Sequence, residues 1–257
     1  MKIETIRIRG IEIGAGMPKI CVPVIAKTAE DVIENIRNIA AKKPDCIELR
    51  IDWFEHVTDW NEILSLLQRI RMIIGDIVLL FTFRSKREGG EKDIEVEQYR
   101  QLCEVVCSSG YIDLIDIEAY MEDGLLQEMC EIAHKNKVYV VASNHDFNLT
   151  PSTEDLVARL EYMDKTGADI PKIAVMPQSE RDVIHLLSAT VAYYEHGGTK
   201  PVITMSMAGI GGITRLSGEI FGSALTFAAV SQCSAPGQLE LSDAKHVLEI
   251  IHKNLQG

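Results

Sequence analysis

The chain has no long hydrophobic run, and this excludes a membrane-spanning helix. None of its 257 residues fall in an uninterrupted apolar stretch of the ~18 residues that a span needs. The first seven residues, MKIETIR, alternate charged and apolar side chains, whereas a signal peptide requires a continuous apolar segment. We therefore expect a cytoplasmic protein.

Positive charge is scarce as well. The chain has 26 Lys and Arg against 38 Asp and Glu, which gives a formal net charge of −12. Such a surface repels nucleic acid and anionic membranes, because both are bound by clustered basic side chains. An anionic small molecule must therefore bind in a local basic pocket.

Cysteine is sparse, and its spacing does not favour a metal site or disulfides. Cys103 and Cys107 share a helix face, but no His stands near them to complete a set of ligands. Free cysteine behaves as a small buried hydrophobe, so we expect core thiols. The cysteines are Cys21, Cys46, Cys103, Cys107, Cys130 and Cys233.

Linker-like sequence is missing throughout. No Pro/Gly/Ser-rich segment, charge block or low-complexity run divides the chain, and 46% of its residues are hydrophobic. A single α/β barrel typically takes about 250 residues. We therefore predict one domain over residues 1–257, with residues 1–15 as an N-terminal hairpin.

Short apolar runs alternate with segments of helical periodicity. The predicted strands are Lys19–Ile25, Cys46–Ile51, Ile77–Phe83, Ile112–Glu118, Val138–Ser143, Ile170–Val175, Pro201–Ser206 and a short one near Ser231–Cys233. The predicted helices are Ala29–Lys42, Val96–Ser108, Leu125–Asn136, Arg181–Glu195, Leu216–Val230 and Ser242–Leu255, with two more around Ile63–Ile70 and Leu156–Met163.

Strands that are apolar on both faces and separated by helices indicate a parallel sheet. About eight such units are present, the number that closes a (β/α)8 TIM barrel. A doubly wound open sheet is the alternative, but the glycine-rich first turn typical of it is missing after Val24. Lys2–Arg9 and Ile11–Gly14 meet at Gly10, which predicts a hairpin covering the N-terminal mouth of the barrel.

Lys172 is the most informative residue for function, because it interrupts an apolar strand. Alternation places it on one face with Ile170, Ala174 and Met176. A desolvated lysine loses its proton readily, and the free amine attacks carbonyl groups to form a Schiff base. The alternative is a lysine near the start of the strand that extends out of the barrel bottom.

Other polar residues fall at strand ends, where barrel enzymes place their active sites. His145 ends the strand before that of Lys172 and suits proton transfer near neutral pH. Guanidinium groups bind carboxylates bidentately, and nearby acids can neutralise excess charge, orient the histidine or form a scaffold ion network. The arginines are Arg50, Arg84 and Arg215, and the acids are Glu48, Glu88, Asp116 and Glu118. Histidines are too sparse for a transition-metal cluster, and we predict no metal.

Two loops have unusual composition. Residues 207–214, MAGIGGIT, are glycine-rich, which fits a phosphate cradle, a mobile lid or an ordinary connection, and we favour the lid. Residues 234–238, SAPGQ, follow the last predicted strand.

Several segments together resemble type I 3-dehydroquinate dehydratases. They occur in the family's order and span nearly the whole chain, and only their combination is specific. The segments are FTFRSKREGG (81–90), SNHDF (143–147), DIPKIAVMP (169–177), ITMSM (203–207) and SAPGQ (234–238).

The resemblance implies a cofactor-free enzyme of the shikimate pathway, usually a homodimer, that dehydrates 3-dehydroquinate to 3-dehydroshikimate by syn elimination. It implies that Lys172 forms the imine, that His145 moves the protons and that Glu88 pairs with His145. Arg215 would hold the substrate carboxylate. The other positions implied to contact substrate or shape the pocket are Glu48, Arg50, Arg84, Met205, Phe227, Ser234 and Gln238.

The chain departs from some relatives at two places. Pro23 stands where some have serine, and the 208–213 loop is richer in glycine than a version bearing Lys and Thr. Two functional alternatives stay open on the residues alone. One is a class I Schiff-base aldolase or transaldolase, and the other is a non-catalytic barrel that binds a carboxylate.

Overall fold

The computed structural model describes residues 3–230 and 234–257. Its strands are β1 (Ile6–Ile8), β2 (Ile11–Ile13), β3 (Lys19–Val24), β4 (Cys46–Arg50), β5 (Val78–Thr82), β6 (Leu114–Glu118), β7 (Tyr139–Asp146), β8 (Ile170–Val175), β9 (Ile203–Ser206), β10 (Leu225–Ala229) and β11 (Leu239–Glu240). The α-helices of this part of the chain are α1 (Ala29–Ala40), α2 (Trp60–Ile74), α3 (Val96–Ser108), α4 (Leu125–Lys135), α5 (Thr153–Lys165), α6 (Glu180–Glu195), α7 (Gly212–Leu216), α8 (Gly218–Phe221) and α9 (Leu241–Leu255).

The parallel strands β3 to β10 form the predicted barrel. Each of β3 to β8 pairs with the next strand in sequence, and β10 pairs with β3. The ring closes between β9 and β10, where Val202 and Ser223 form a parallel bridge and the amide of Ala224 donates to Val202 O at 2.8 Å. β11 extends the sheet beside β10. The barrel prediction is therefore confirmed.

Several helices begin where the sequence supplies a capping side chain. Thr28, Asp59 and Ser152 each accept a hydrogen bond from a backbone N–H in the first turn, of α1, α2 and α5 respectively. Such caps satisfy amides that have no partner inside the helix. In the described residues no helix is long and apolar enough to cross a membrane.

The barrel interior is apolar in its lower half and polar in its upper half. Inward side chains near the strand starts form one buried cluster, which also contains Ile6, Ile8 and Ile13 of the β1–β2 hairpin. The predicted hairpin thus covers the N-terminal mouth. Because the lower half is filled, polar inward side chains are confined to the carboxyl ends of the strands.

An aspartate precedes each of β4, β6 and β8 and ties that strand to the one before it. Asp45 accepts from Ile20 N at 2.8 Å, Asp113 from Leu79 N at 2.9 Å and Asp169 from Val140 N at 2.7 Å. These hydrogen bonds satisfy amides at the starts of β3, β5 and β7. We call these three residues the aspartate ties.

One predicted element is wrong. The segment 216–230, predicted as a helix, contains α8 and the eighth barrel strand, β10. Gly222 breaks the helix with a left-handed backbone (φ 105°), which glycine adopts without steric cost. The strand predicted near Ser231–Cys233 lies outside the described residues.

Candidate active site

The carboxyl ends of the barrel strands surround a cavity of about 480 Å³, measured with its opening to solvent. Most site residues predicted from the sequence line this cavity: Glu48, Arg50, Arg84, Glu88, His145, Lys172, Met205, Phe227, Ser234 and Gln238.

Lys172 lies on the inward face of β8 and is 3% exposed. Its Nζ is 3.0 Å from Asp116 Oδ2 and 4.7 Å from the centre of the Phe227 ring. A carboxylate and an aromatic face both stabilise positive charge. Burial hinders ionisation of Asp116, but the cations Arg84 and Lys172 outweigh it and lower the Asp116 pKa to about 2. The alternative of a lysine leaving the barrel bottom is wrong.

His145 and Glu88 form a hydrogen-bonded pair. Glu88 Oε2 lies 3.0 Å from His145 Nδ1 and accepts from the His145 backbone N–H at 3.0 Å. Burial and the cations Arg84 and Lys172 lower the His145 pKa well below its usual value. A neutral ring that donates from Nδ1 leaves the lone pair of Nε2 available as a base.

Glu88 has an unusually high affinity for a proton. Burial raises its pKa to about 7, and the Glu118 and Asp116 carboxylates add to this against the attraction of Arg84 and a hydrogen bond from Asn144. The carboxyl therefore changes charge near neutral pH, which is the range in which proton transfer is most effective.

Arg84 connects the buried carboxylates of the site. Its guanidinium lies 2.7 Å from Asp116 and 3.2 Å from Glu118, and also donates to Ser143 Oγ at 2.8 Å. These carboxylates and Glu88 raise the Arg84 pKa against the effect of burial. Arg84 is therefore always charged and holds neighbouring strand ends together.

Arg50 and Glu48 are also held by neighbouring residues. Arg50 donates to both oxygens of Asp52 at 2.8 Å, and Glu48 accepts from Thr82 Oγ1 at 2.9 Å. The bidentate bond fixes the plane of the Arg50 guanidinium. A substrate would meet this group already oriented.

Among the residues assigned to catalysis or to substrate binding, Arg215 is the one outside the set that lines the cavity. It is 2% exposed on α7, and it contacts Met205 Sδ and Pro236 O through its terminal nitrogens. Met205 lines the cavity, so Arg215 lies directly behind the wall. Ser234 and Gln238 bond each other, with Gln238 Nε2 donating to Ser234 Oγ at 3.0 Å.

The two predicted loops pack against each other. The amide of Ala208 donates to Pro236 O at 3.2 Å, and a Cβ on Gly237 would come within 2.3 Å of Ala208 O. Glycine is needed at position 237 for this approach. The role of the 208–213 loop as a lid stays a prediction.

Three residues that organise the site had no role predicted from the sequence. Ser143 Oγ donates to Asp116 at 2.6 Å, Asp52 holds Arg50, and Asn144 Nδ2 donates to Glu88 at 3.2 Å. Ser143 and Asn144 stood within a family-like segment, and Asp52 followed a predicted strand. Their positions in the sequence could therefore have identified them as site residues. Their hydrogen-bond partners could not have been predicted from the sequence.

The cavity thus combines a buried primary amine, an imidazole with a free base position and fixed guanidinium groups. This combination supports covalent chemistry on a carbonyl compound that also carries negative charge.

The chain matches the family model for type I 3-dehydroquinase over residues 20–255. It is 48% identical to the 3-dehydroquinate dehydratase of Clostridioides difficile strain 630, over 97% of this chain and 98% of that one. It is 45% identical to the 3-dehydroquinate dehydratase of Syntrophotalea carbinolica, over 97% and 99%.

Solved structures agree with these matches. The type I 3-dehydroquinate dehydratase from Clostridium difficile with covalently modified comenic acid superposes with a TM-score of 0.95 at 47% identity, over 98% of this chain and 99% of that one. The enzyme from Geobacillus kaustophilus gives 0.94 at 39%, over 97% of each chain. On the family model, the identities and the shared barrel, this chain belongs to the type I 3-dehydroquinase family.

Proposed function

We propose that this chain is a type I 3-dehydroquinate dehydratase, which converts 3-dehydroquinate to 3-dehydroshikimate and water in the shikimate pathway. The observation that carries the proposal is Lys172, a buried amine beside a His145–Glu88 pair in one cavity. The family match supplies the substrate.

In the first step Lys172 passes a proton to the neutral ring of His145, and the free amine attacks the C3 ketone. The imidazolium then returns that proton to the carbinolamine hydroxyl, which leaves as water and gives the protonated imine. The protonated imine carries its positive charge on the former lysine nitrogen. Asp116 at 3.0 Å and the Phe227 ring at 4.7 Å stabilise charge at this point. The imine can therefore act as an electron sink.

His145 performs the proton transfers. Its Nε2 takes a proton from C2, and the resulting enamine expels the C1 hydroxyl from the same face. The imidazolium returns the proton to that hydroxyl, so that water leaves. Glu88 stabilises the imidazolium through the contact at Nδ1. Hydrolysis of the imine then releases 3-dehydroshikimate and restores the amine.

The remaining predicted residues bind the substrate. Arg215 is assigned to the carboxylate, with Met205 as the wall between its resting position and the cavity. Glu48, Arg50 and Arg84 line the cavity from β4 and from the end of β5, while Ser234 and Gln238 line it from the loop after β10. Local guanidinium groups allow an anion to bind to a chain whose net charge is −12.

We also propose that the enzyme is a cytoplasmic homodimer. Large apolar side chains such as Ile184, Ile213 and Ile220 are exposed, and a partner would cover such groups. The described cysteines are buried free thiols, as in a reducing compartment. Sedimentation velocity measures the mass in solution, and a monomer at micromolar concentration would contradict the dimer.

The test of the proposed function is borohydride reduction in the presence of 3-dehydroquinate, followed by intact mass and peptide mapping. We expect steady turnover, and a reduced adduct on the peptide that contains Lys172. Lys172→Ala should lose the adduct and lower kcat by more than about 10⁴-fold. Turnover without an adduct would refute the imine mechanism. If neither turnover nor an adduct is observed, the proposed dehydratase activity is refuted.

A further inference from the structure

A hydrogen-bonded chain leads from the outside of the barrel to the catalytic pair. Arg159 on α5 is half-buried, and its Nη1 donates to Asn144 Oδ1 at 2.7 Å. The other end of the Asn144 side chain donates from Nδ2 to Glu88 Oε1 at 3.2 Å. Glu88 Oε2 in turn contacts His145 at its backbone N and at Nδ1.

The arginine determines which way the Asn144 amide faces. A guanidinium has only donors, so the amide atom next to it must be the oxygen. The amide nitrogen then faces Glu88, and an N–H group requires an acceptor there. An ionised Glu88 accepts at both oxygens, whereas a protonated carboxyl would place a hydrogen against one of its donor neighbours.

We propose that Arg159 and Asn144 are positioning residues that keep Glu88 ionised and thereby hold His145 as a base. The role rests on the proposed dehydratase function. Arg159 acts through Asn144: it locks the amide in the orientation that favours the ionised form of Glu88. Without Arg159 the amide can rotate and turn its oxygen toward a protonated Glu88.

Other charged groups also face the catalytic pair. Arg84, which follows β5, favours ionisation of Glu88, while Glu118 and Asp116 of β6 oppose it. Lys172 of β8 and Arg50 of β4 act on His145. Burial raises the Glu88 pKa to about 7, so a change of one hydrogen bond shifts its charge within the working range of pH. The hydrogen bonds from Arg159 through Asn144 to Glu88 are therefore in a position to determine the pH below which activity is lost.

The experiment compares pH profiles of kcat/KM for 3-dehydroquinate. Asn144→Leu removes the donor, and the acid limb should move upward by about one pH unit, the value of one hydrogen bond to a charged group. Arg159→Met should move the acid limb in the same direction. Arg159→Lys keeps a donor toward the amide oxygen, and its acid limb should lie at the wild-type pH. Arg181→Met, an exposed arginine on α6, is the matched control and should not move it.

The double variant Asn144→Leu with Arg159→Met separates action through Asn144 from action through space. We expect its limb to coincide with that of Asn144→Leu alone, whereas additive shifts would overturn the assigned route. A lower kcat with an unmoved limb in Asn144→Leu would indicate a purely structural role and overturn the proposal. If Arg159→Met folds poorly, Asn144→Leu and Arg159→Lys still decide it.

A second readout does not depend on turnover. In protein with ¹⁵N-labelled histidine, the His145 signals are identified by their loss in His145→Gln. Plotted against pH, their ¹⁵N chemical shifts should show an inflection near pH 7, and this inflection should move to higher pH in Asn144→Leu. An inflection at the same pH in both proteins would refute the inference. A wild-type protein without turnover would instead refute the proposed function, while this titration would still test the chain of contacts.

Discussion

A lysine ammonium and a protonated imine carry positive charge at nearly the same point, and the surroundings of Lys172 Nζ suit both. Asp116 and the Phe227 ring stabilise that charge in the resting protein. The same contacts stabilise the imine intermediate of the proposed mechanism. Lys172, which interrupts an otherwise apolar strand, therefore has contacts at Nζ that suit a positive charge.

Replacement of His145 separates the proposed chemical steps. For His145→Ala we expect kcat to fall by about 10²–10⁴-fold, the usual contribution of a general acid–base group. Borohydride should still trap some adduct on Lys172, because the amine remains. Initial rates and intact mass measure the two effects, and an unchanged rate would remove His145 from the mechanism.

The pH dependence of activity should report the charge of Glu88. Its pKa is raised to about 7, so below that pH it is mostly protonated and no longer supplies the negative charge that stabilises the His145 imidazolium. We expect kcat/KM to fall about tenfold per pH unit below the midpoint, as for a single protonation. Glu88→Gln should be slow and lack this limb. A wild-type limb at the ordinary carboxyl value would contradict the assignment.

Among the elements, the β1–β2 hairpin acts far from the chemistry. Its side chains Ile6, Ile8 and Ile13 complete the lower core. Arg9, at the hairpin turn, bonds Asp113 at 2.5 Å, which joins the hairpin to the start of β6. The hairpin therefore supports the barrel from below while the site forms above.

Truncation of the hairpin core should change stability without changing catalysis. Ile13→Ala should lower the free energy of unfolding by about 2–4 kcal/mol, because the residue is fully buried. The value of kcat should remain that of the wild type. Met72→Ala, at a position 73% exposed, should change stability by less than about 0.5 kcal/mol. Urea unfolding measures both, and equal losses would contradict this view of the hairpin.

The segment 216–230 shows where element prediction fails. Its apolar residues recur at helical spacing, yet Leu225–Ala229 is a strand. This strand closes the ring between β3 and β9. Neighbours on both sides satisfy its backbone groups, and this tertiary pairing overrides local periodicity.

Across the whole molecule, the aspartate ties add one side-chain hydrogen bond to alternate pairs of neighbouring strands. Each joins the start of an even-numbered strand to the preceding one, as Asp45 does for β4 and β3. In the last pair, Ser223 Oγ accepts from Thr204 N at 3.0 Å. Alternate pairs of strands therefore share the same kind of side-chain link at their starts.

Asp45 offers the clearest test of a tie. Asp45→Ala leaves the Ile20 amide without this acceptor and should lower stability by about 1–3 kcal/mol. Asp45→Asn retains a carbonyl oxygen and should lose much less. Asp123→Ala, at an exposed position, is the control. Chemical denaturation measures the free energy of unfolding of the three variants. Equal losses in Asp45→Ala and Asp45→Asn would show that the hydrogen bond from the Ile20 amide to Asp45 does not contribute to stability.

The barrel, most of its strands and helices and the strand-end position of the site were predictable, because they follow from local periodicity and from parallel packing. The location of Lys172 and His145 in the cavity was predictable for the same reason. The family resemblance assigned roles to the other charged and polar side chains that line the cavity.

Contacts across the barrel were decided only by the tertiary structure. Arg84 meets Glu118 and Ser143, and Glu88 meets Asn144, from positions far apart in the chain. Local sequence carries no record of such distances. Whether a buried carboxyl is charged depends on all the neighbours that closure of the ring brings around it, and these are set by the fold.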